Sequence, residues 1–267
     1  MANVLLTFPE GRHKVVTLSY DDGVAADRRL LELLNAGGLK GTFHINAGLC
    51  GKGKRLRTEE LVGAYRGHEI AAHTLTHPTI ARCPQEQLVE EIVADRKALE
   101  SLTGQPVRGL SYPNGSHNAR IRETLPYLGV DYARTTMSHG TFAIPDEWMA
   151  WHPTCHHNDR LAERTEQFLA LDKRQHLYML YVWGHSYEFD RDDNWEMIEQ
   201  FCARIGGHDE IWYATNREIV SYFHAFERLE FAAAMDFVYN PSHASVWLAA
   251  GDRTVEAKGG AVTALSG

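Results

Sequence analysis

The chain has 267 residues, 44% hydrophobic and 23% charged, with a net charge of −8 and an isoelectric point near 6.0. That balance suits a globular chain long enough for one barrel-sized core, and it argues against a general nucleic-acid binder, whose surface would be basic. The opening MANVLLTFPEGRHK has no basic stretch, its apolar run Val4 to Leu6 is too short for a secretion signal, and no later stretch approaches a membrane span. A cytoplasmic protein without membrane or nucleic-acid partners is therefore expected. Cys50, Cys83, Cys155 and Cys202 form no C-x-x-C pair, so neither a zinc ribbon nor a dithiol redox site is expected.

Strand and helix patterns alternate along the chain. KVVTLSY at 14–20 predicts a buried strand, followed by a helix over 24–36 with an apolar stripe of Leu30, Leu31, Leu33 and Leu34, ended by Gly37-Gly38. GTFHI at 41–45 predicts a second strand. Thr58 is the expected N-cap of the next helix, with Glu59 and Glu60 in its first turn. HEIAAH at 68–73 predicts a third strand. A long helix then runs from Pro84 to about Leu102, with Gly104 just beyond it. Further strands are predicted at VRGLSY, DYARTT, WHPTCH (151–156), LYMLYVWG (177–184) and IWYAT (211–215), with helices at 118–128, 159–172, 194–205 and 216–230.

Repeated β-α units imply a parallel sheet with right-handed crossovers, and seven or eight of them in about 230 residues predict an α/β chain folded as a (β/α) barrel. An open doubly wound sheet would carry a glycine-rich loop after its first strand, where this chain has Asp21-Asp22-Gly23. From about Met235 the helical period stops and short alternating segments with Asn-Pro, Gly-Asp and Gly-Gly follow. The expected organisation is a barrel over 1–233 with a small β-hairpin appendage, 234–267, packed on it.

Catalytic groups of such barrels lie at the C-terminal ends of the strands. Asp21 and Asp22 follow the first strand, His73 closes the third and His77 lies in the loop after it. Asn114 follows the fourth, Arg134 ends the fifth, His156 and His157 end the sixth and His185 follows the seventh. Two histidines four apart with one carboxylate can hold a metal ion and leave a coordination position open, as catalytic sites do, while the adjacent acid stays free as a base. Each piece alone is ordinary. Asp-Asp-Gly is a turn sequence, H-x-x-x-H on a loop is far less specific than H-E-x-x-H on a helix, and a lone histidine is usually structural. The hydrolase reading rests on SYDDG, HTLTH, YPNG and WGH occurring in that order, each at a strand end.

Together these motifs resemble the NodB-homology polysaccharide deacetylases, carbohydrate esterase family four, over about residues 12–230. The resemblance implies a distorted (β/α) barrel of seven or eight strands and removal of acetyl groups, from nitrogen and also from oxygen, on a saccharide. It implies Asp21 as general base, and Asp22, His73 and His77 as ligands of one divalent ion, zinc being the first choice. His185 takes the place of the family's late histidine acid. Asn114 stands where the family has an aromatic residue whose backbone N–H holds the oxyanion, and Tyr112 and Trp183 are expected on the substrate side. Two departures stand out. Ser111 occupies the place of the arginine two residues before the third motif's proline, and no secure Asp-Trp pair exists for the fourth, Asp146-Glu147-Trp148 being a loose counterpart. Arg134 is expected to substitute for that arginine and orient Asp21. The partner of His185 stays open among Glu188, Asp190 and His157.

Trp148, Trp151, Trp183, Tyr187 and Trp195 fall in or near the rim loops, where aromatic faces would suit a sugar. Lacking a visible export signal, the chain fits a soluble oligosaccharide or small amide more easily than an extracellular polymer. The competing readings are a hydrolase of a small cyclic amide or imide on the same fold, and a non-catalytic carbohydrate-binding relative. The oligomeric state is not legible.

Overall fold

The computed structural model describes residues 3–266. The chain starts with β1 (Val4–Thr7), then alternates through β2 (Lys14–Asp21), α1 (Asp27–Ala36), β3 (Gly41–Ile45), α2 (Thr58–Ala64), β4 (Glu69–Ala72), α3 (Gln85–Thr103), β5 (Gly109–Ser111), α4 (Ala119–Thr124) and β6 (Tyr132–Arg134). It continues through β7 (Cys155–His156), α5 (Leu161–Leu169), β8 (Tyr178–Gly184), α6 (Tyr187–Arg191), α7 (Trp195–Ile205), β9 (Ile211–Tyr213) and α8 (Asn216–Glu227). Eight of these strands form one parallel sheet in the order β6-β5-β4-β3-β2-β8-β7, with β9 paired to the start of β2. The ring closes where Trp151, just ahead of β7, bridges Arg134 of β6. The fold is a distorted (β/α) barrel with additional small strands at its C-terminal end.

Period-two alternation in β2 sorts its residues between two environments. Val16, Leu18 and Tyr20 join Leu30, Leu31 and Leu34 of α1 in the apolar layer between strands and helices. The alternate residues make polar contacts inside the ring. Thr17 Oγ1 donates to Asn216 Oδ1 at 2.8 Å, Ser19 Oγ meets His44 Nδ1 at 3.1 Å, and Asp21 meets Arg134. Polarity thus climbs the inner face of β2 toward the end that carries the acid pair.

Several boundaries differ from the sequence pattern for local reasons. The first helix begins at Asp27, because Val24 bridges Arg55 and the Ala25 N–H donates to the Lys54 carbonyl at 2.7 Å. Arg57, not Thr58, is the N-cap of α2, and its N–H donates to the Glu60 carboxylate at 2.9 Å. The long helix is capped by Gly104 in the left-handed region, as its sequence predicts. The expected sixth strand shrinks to two residues, since Pro153 has no N–H for the ladder. Helix α6 and strand β1 were not expected. No described helix is long and apolar enough to cross a membrane.

The last segment forms β10 (Glu230–Phe231), β11 (Phe237–Tyr239), β12 (Val246–Ala250), β13 (Arg253–Ala257) and β14 (Val262–Ala264). These strands make two antiparallel sheets, β10-β11-β14 and β1-β12-β13, so the first strand of the chain is recruited by the last part of it. A second apolar cluster joins Val246, Leu248 and Val255 to Val15, Tyr132, Met179 and Tyr181 of the barrel strands.

Gly184 ends β8 where a Cβ would run into the His157 imidazole. Gly184→Ala should overpack this contact and destabilise the chain by about 1–3 kcal/mol, read as a lowered urea midpoint at unchanged slope. An unchanged midpoint would show that the His157 ring has room to move.

Candidate active site

The rim at the C-terminal strand ends gathers the acid pair and the HTLTH histidines. One donor atom each from Asp22, His73 and His77 lie within 4.8 Å of one another. His73 is fixed on both sides. Its backbone N–H donates to Asp95 of α3 at 2.9 Å, and its Nδ1 lies 2.9 Å from the Ser111 carbonyl oxygen and 2.6 Å from Ser111 Oγ. A carbonyl can only accept, so Nδ1 carries the proton and Nε2 keeps its lone pair for the other side. That is the arrangement metal-binding imidazoles adopt, and this donor set fits a divalent ion. Burial holds the His73 pKa down to about 4, so the ring is neutral at physiological pH. Asp22 receives Arg55 Nη2 at 3.3 Å.

The HTLTH loop is strained, and its neighbours hold it. Thr74 (φ 63°), His77 (φ 62°), Asp22 (φ 79°) and Asn114 (φ 57°) all lie in the left-handed region, which side chains other than glycine rarely adopt. Asn46 Nδ2 donates to the carbonyls of His73 and Thr74 at 2.5 and 2.8 Å, and Glu91 of α3 accepts from Thr76 N at 2.8 Å and Thr76 Oγ1 at 2.5 Å.

Asp21 is almost wholly buried beside this triad. One carboxylate oxygen meets the Arg134 guanidinium; the other accepts Ser111 Oγ at 3.0 Å and faces His44 Nδ1 at 3.3 Å. Burial alone would raise its pKa. Arg134, then His73 and His44, outweigh burial and hold the carboxyl well below the usual carboxylate range. Arg134 lies over the Trp183 ring at 4.6 Å, and Trp183 Nε1 donates to Ser138 Oγ at 3.1 Å. Trp183 thus packs beneath the guanidinium. Tyr112 is buried with its hydroxyl donating to the Met149 carbonyl at 2.6 Å, so its side chain has no donor left for a ligand. Asn114 is exposed on the third-motif turn, its side chain donating to Thr79 at 3.2 Å, and its backbone N–H has no backbone acceptor among the described residues.

His185 follows β8 on the same rim. Its Nδ1 lies 3.5 Å from Glu188 Oε2, which selects Glu188 from the three partners the sequence left open. Burial would depress the imidazolium; Glu188, with Asp21 and Asp22 beyond it, outweighs burial and raises the His185 pKa above its ordinary value. The loose fourth-motif counterpart lies elsewhere, for Glu147 pairs with Arg122 at 2.9 Å and Trp148 packs edge-on against Trp151 and tilted against Phe223. Trp151 is core, and Trp195 lies under Arg29 against Phe189. Of the five rim aromatics expected from the sequence, only Trp183 and Tyr187 stand beside His185.

A family model for polysaccharide deacetylases matches residues 9–133, which contain both the acid pair and HTLTH. Over this segment, just under half of its length, the chain is similar to the polysaccharide deacetylase family. Chitin deacetylase 1 of Cryptococcus neoformans var. grubii is 26% identical over 138 residues, 51% of this chain and 28% of that protein. A chitin deacetylase of Pestalotiopsis sp is 30% identical over 113 residues, 42% of this chain and 38% of that protein. The chain thus spans well under half the length of the curated relatives it matches. Among solved structures, the Puue allantoinase has a TM-score of 0.62 at 16% identity, covering 82% of this chain and 92% of that one, a likeness of fold.

Within this site, sequence reading missed His44, Asn46, Glu91 and Asp95. A signal existed for three of them. His44 alternates with Phe43 on a strand next to β2, so it shares the face of Asp21. Glu91 and Asp95 fall in the buried stripe Leu88, Ile92 and Leu99 of α3, where unpartnered acids would be costly.

Asn46→Ala should leave the fold intact yet loosen the HTLTH loop. Metal affinity should drop about 10- to 100-fold, as with other outer-layer losses, measured by chelator competition. Unchanged affinity would show that strand packing alone holds the loop.

Proposed function

We propose that the chain is a metal-dependent hydrolase that removes acetyl groups from an acetylated saccharide, N-acetyl first and O-acetyl second. The observation that carries this reading is the pairing of the Asp22, His73 and His77 donor set with an ionised acid, Asp21, that is not part of it. Asp22, His73 and His77 would hold a divalent ion, zinc being the first choice. Such an ion supplies Lewis-acid polarisation of a carbonyl and acidifies water, from a pKa of 15.7 to roughly 7 in favourable cases.

The remaining chemistry belongs to the chain. Asp21, kept ionised by Arg134, takes the proton of the attacking water. The exposed Asn114 N–H donates to the oxygen that gains charge, a contact worth about 3 kcal/mol where such donors have been removed. His185, raised toward its protonated form, gives a proton to the leaving nitrogen or oxygen. An amine leaves far less readily than an alcohol without a proton, so His185 matters most for N-acetyl substrates.

Acetate release from a panel of N- and O-acetylated sugars, with and without chelator, tests the reading. Chelator-sensitive release supports it; bound metal with no release from any sugar would move the assignment to a small cyclic amide. Asp21→Asn should cost about 10²–10⁴-fold in kcat while the metal stays bound. Loss of metal from that variant would reverse the roles of the two acids. The pH profile has a defined sign. Asp21 is ionised and His73 neutral well below neutrality, whereas His185 must carry its proton to act. Activity should therefore fall on the alkaline side, through a pKa above the ordinary imidazole value. A fall confined to the acid side would remove His185 as the acid.

A further inference from the structure

Beside the rim triad lies a second group of imidazoles, gathered on one carboxylate oxygen. Glu188 Oε2 is 3.0 Å from His156 Nε2, 3.3 Å from His157 Nε2 and 3.5 Å from His185 Nδ1, and it accepts the His185 backbone N–H at 3.1 Å. Arg191 Nη2 approaches the other oxygen at 3.6 Å. Donor atoms of His156, His157 and Glu188 lie within 4.8 Å of one another, so this trio satisfies the same proximity test as Asp22, His73 and His77.

The hydrogen bonds behind the rings separate the two trios. His73 donates its far N–H to a carbonyl and presents a lone pair. His156 does the reverse: the Asn158 N–H donates to His156 Nδ1 at 3.2 Å, which places the ring proton on Nε2, the nitrogen 3.0 Å from Glu188 Oε2. An ion cannot take that nitrogen without evicting the proton and turning two N–H groups against each other. His157 is fully buried between the rings of Tyr20 and Phe189. Burial, then His156, push its pKa down to about 3, so it stays neutral.

We infer that Glu188 is the positioning residue for His185, with His156 as the carboxylate's second donor, and that this cluster holds protons rather than a metal. The inference rests on the deacetylase reading above and names what supports its acid. Glu188 sits on α6, one turn after His185, so a single loop supplies both acid and carboxylate. The carboxylate, 3.5 Å from His185 Nδ1, favours a proton on that nitrogen by its charge. The proton given to the leaving group then comes from Nε2, and the neutral ring retains Nδ1–H on the side facing Glu188. Groups facing Glu188 are His156, His157, His185 and Arg191; those facing His185 from other elements are Asp21 and Asp22; Asp192 faces His157.

The test is Glu188→Gln in the full chain loaded with zinc. Expected are a kcat loss of about 10²-fold on an N-acetyl sugar, a smaller loss on an O-acetyl sugar, and unchanged metal content. The alkaline limb should move down by about one pH unit, with partial recovery in Glu188→Asp and a smaller shift of the same sign in His156→Gln. An NMR titration of the His185 ring should show the same downward shift whether or not any acetylated sugar is turned over, which separates this inference from the substrate assignment. An unmoved His185 titration, or equal losses on the two substrate types, would reduce Glu188 to a packing role. Loss of a second zinc equivalent in Glu188→Gln or His156→Gln would overturn the inference in favour of a metal site.

Discussion

Asp21 and Arg134 carry opposite charges at the ends of β2 and β6, and both are closed to solvent. Burying two ions costs several kcal/mol each, and attraction repays this only when the remaining polar atoms are also satisfied. Asp21 meets that condition through Ser111 and His44. Arg134 meets it in part: Nη1 donates to the Thr135 carbonyl at 3.3 Å and the Trp183 face lies beneath, but Nε has no partner. A pair so incompletely satisfied is a poor device for stability. It does keep a carboxylate ionised in a buried site, as the base role proposed for Asp21 would require.

The same pair explains the altered third motif. Ser111 and Arg134 are register partners on adjacent strands. A small side chain on β5 opens a path along which the guanidinium of β6 reaches Asp21. The serine is then put to two uses: its Oγ donates to Asp21, and its carbonyl takes the His73 ring proton. One serine therefore ties the acid and the histidine together. Around this rigid centre the chain carries its strained turns at Asp22, Thr74, His77 and Asn114. In the HTLTH loop, Asn46 donates to backbone carbonyls while Glu91 and Asp95 accept backbone N–H groups, which makes such backbone tolerable there.

Much of the barrel was legible because period-two runs alternate with helical stripes, and that rhythm is local. What failed was also local in cause. β7 is broken by a proline, α6 is a five-residue turn of helix too short to show a period, and β1 becomes a strand only because β12 arrives from the far end of the chain. In the site, Asp21, Asp22, His73 and His77 were readable as contiguous motifs at strand ends. His44, Asn46, Glu91 and Asp95 come from separate elements and meet only in space. The aromatics misled for a different reason. Proximity to a rim in sequence does not say which way a ring points, and Trp148 and Trp151 turn into the core instead.

Residue type alone would have suggested two equivalent metal sites, since each trio has two histidines and a carboxylate. What distinguishes them is one backbone atom behind one ring. Behind His73 stands a carbonyl oxygen, behind His156 an amide N–H, and an imidazole offers either a lone pair or a proton toward its front according to which it meets. The carbonyl of Ser111 is held in position by the pairing of β5 with β6; the N–H of Asn158 follows from the turn after β7. The barrel thus assigns opposite protonation to two similar clusters a short distance apart. Under the proposed function, that asymmetry leaves the His73 side free to hold an ion while the Glu188 side keeps its imidazole protons.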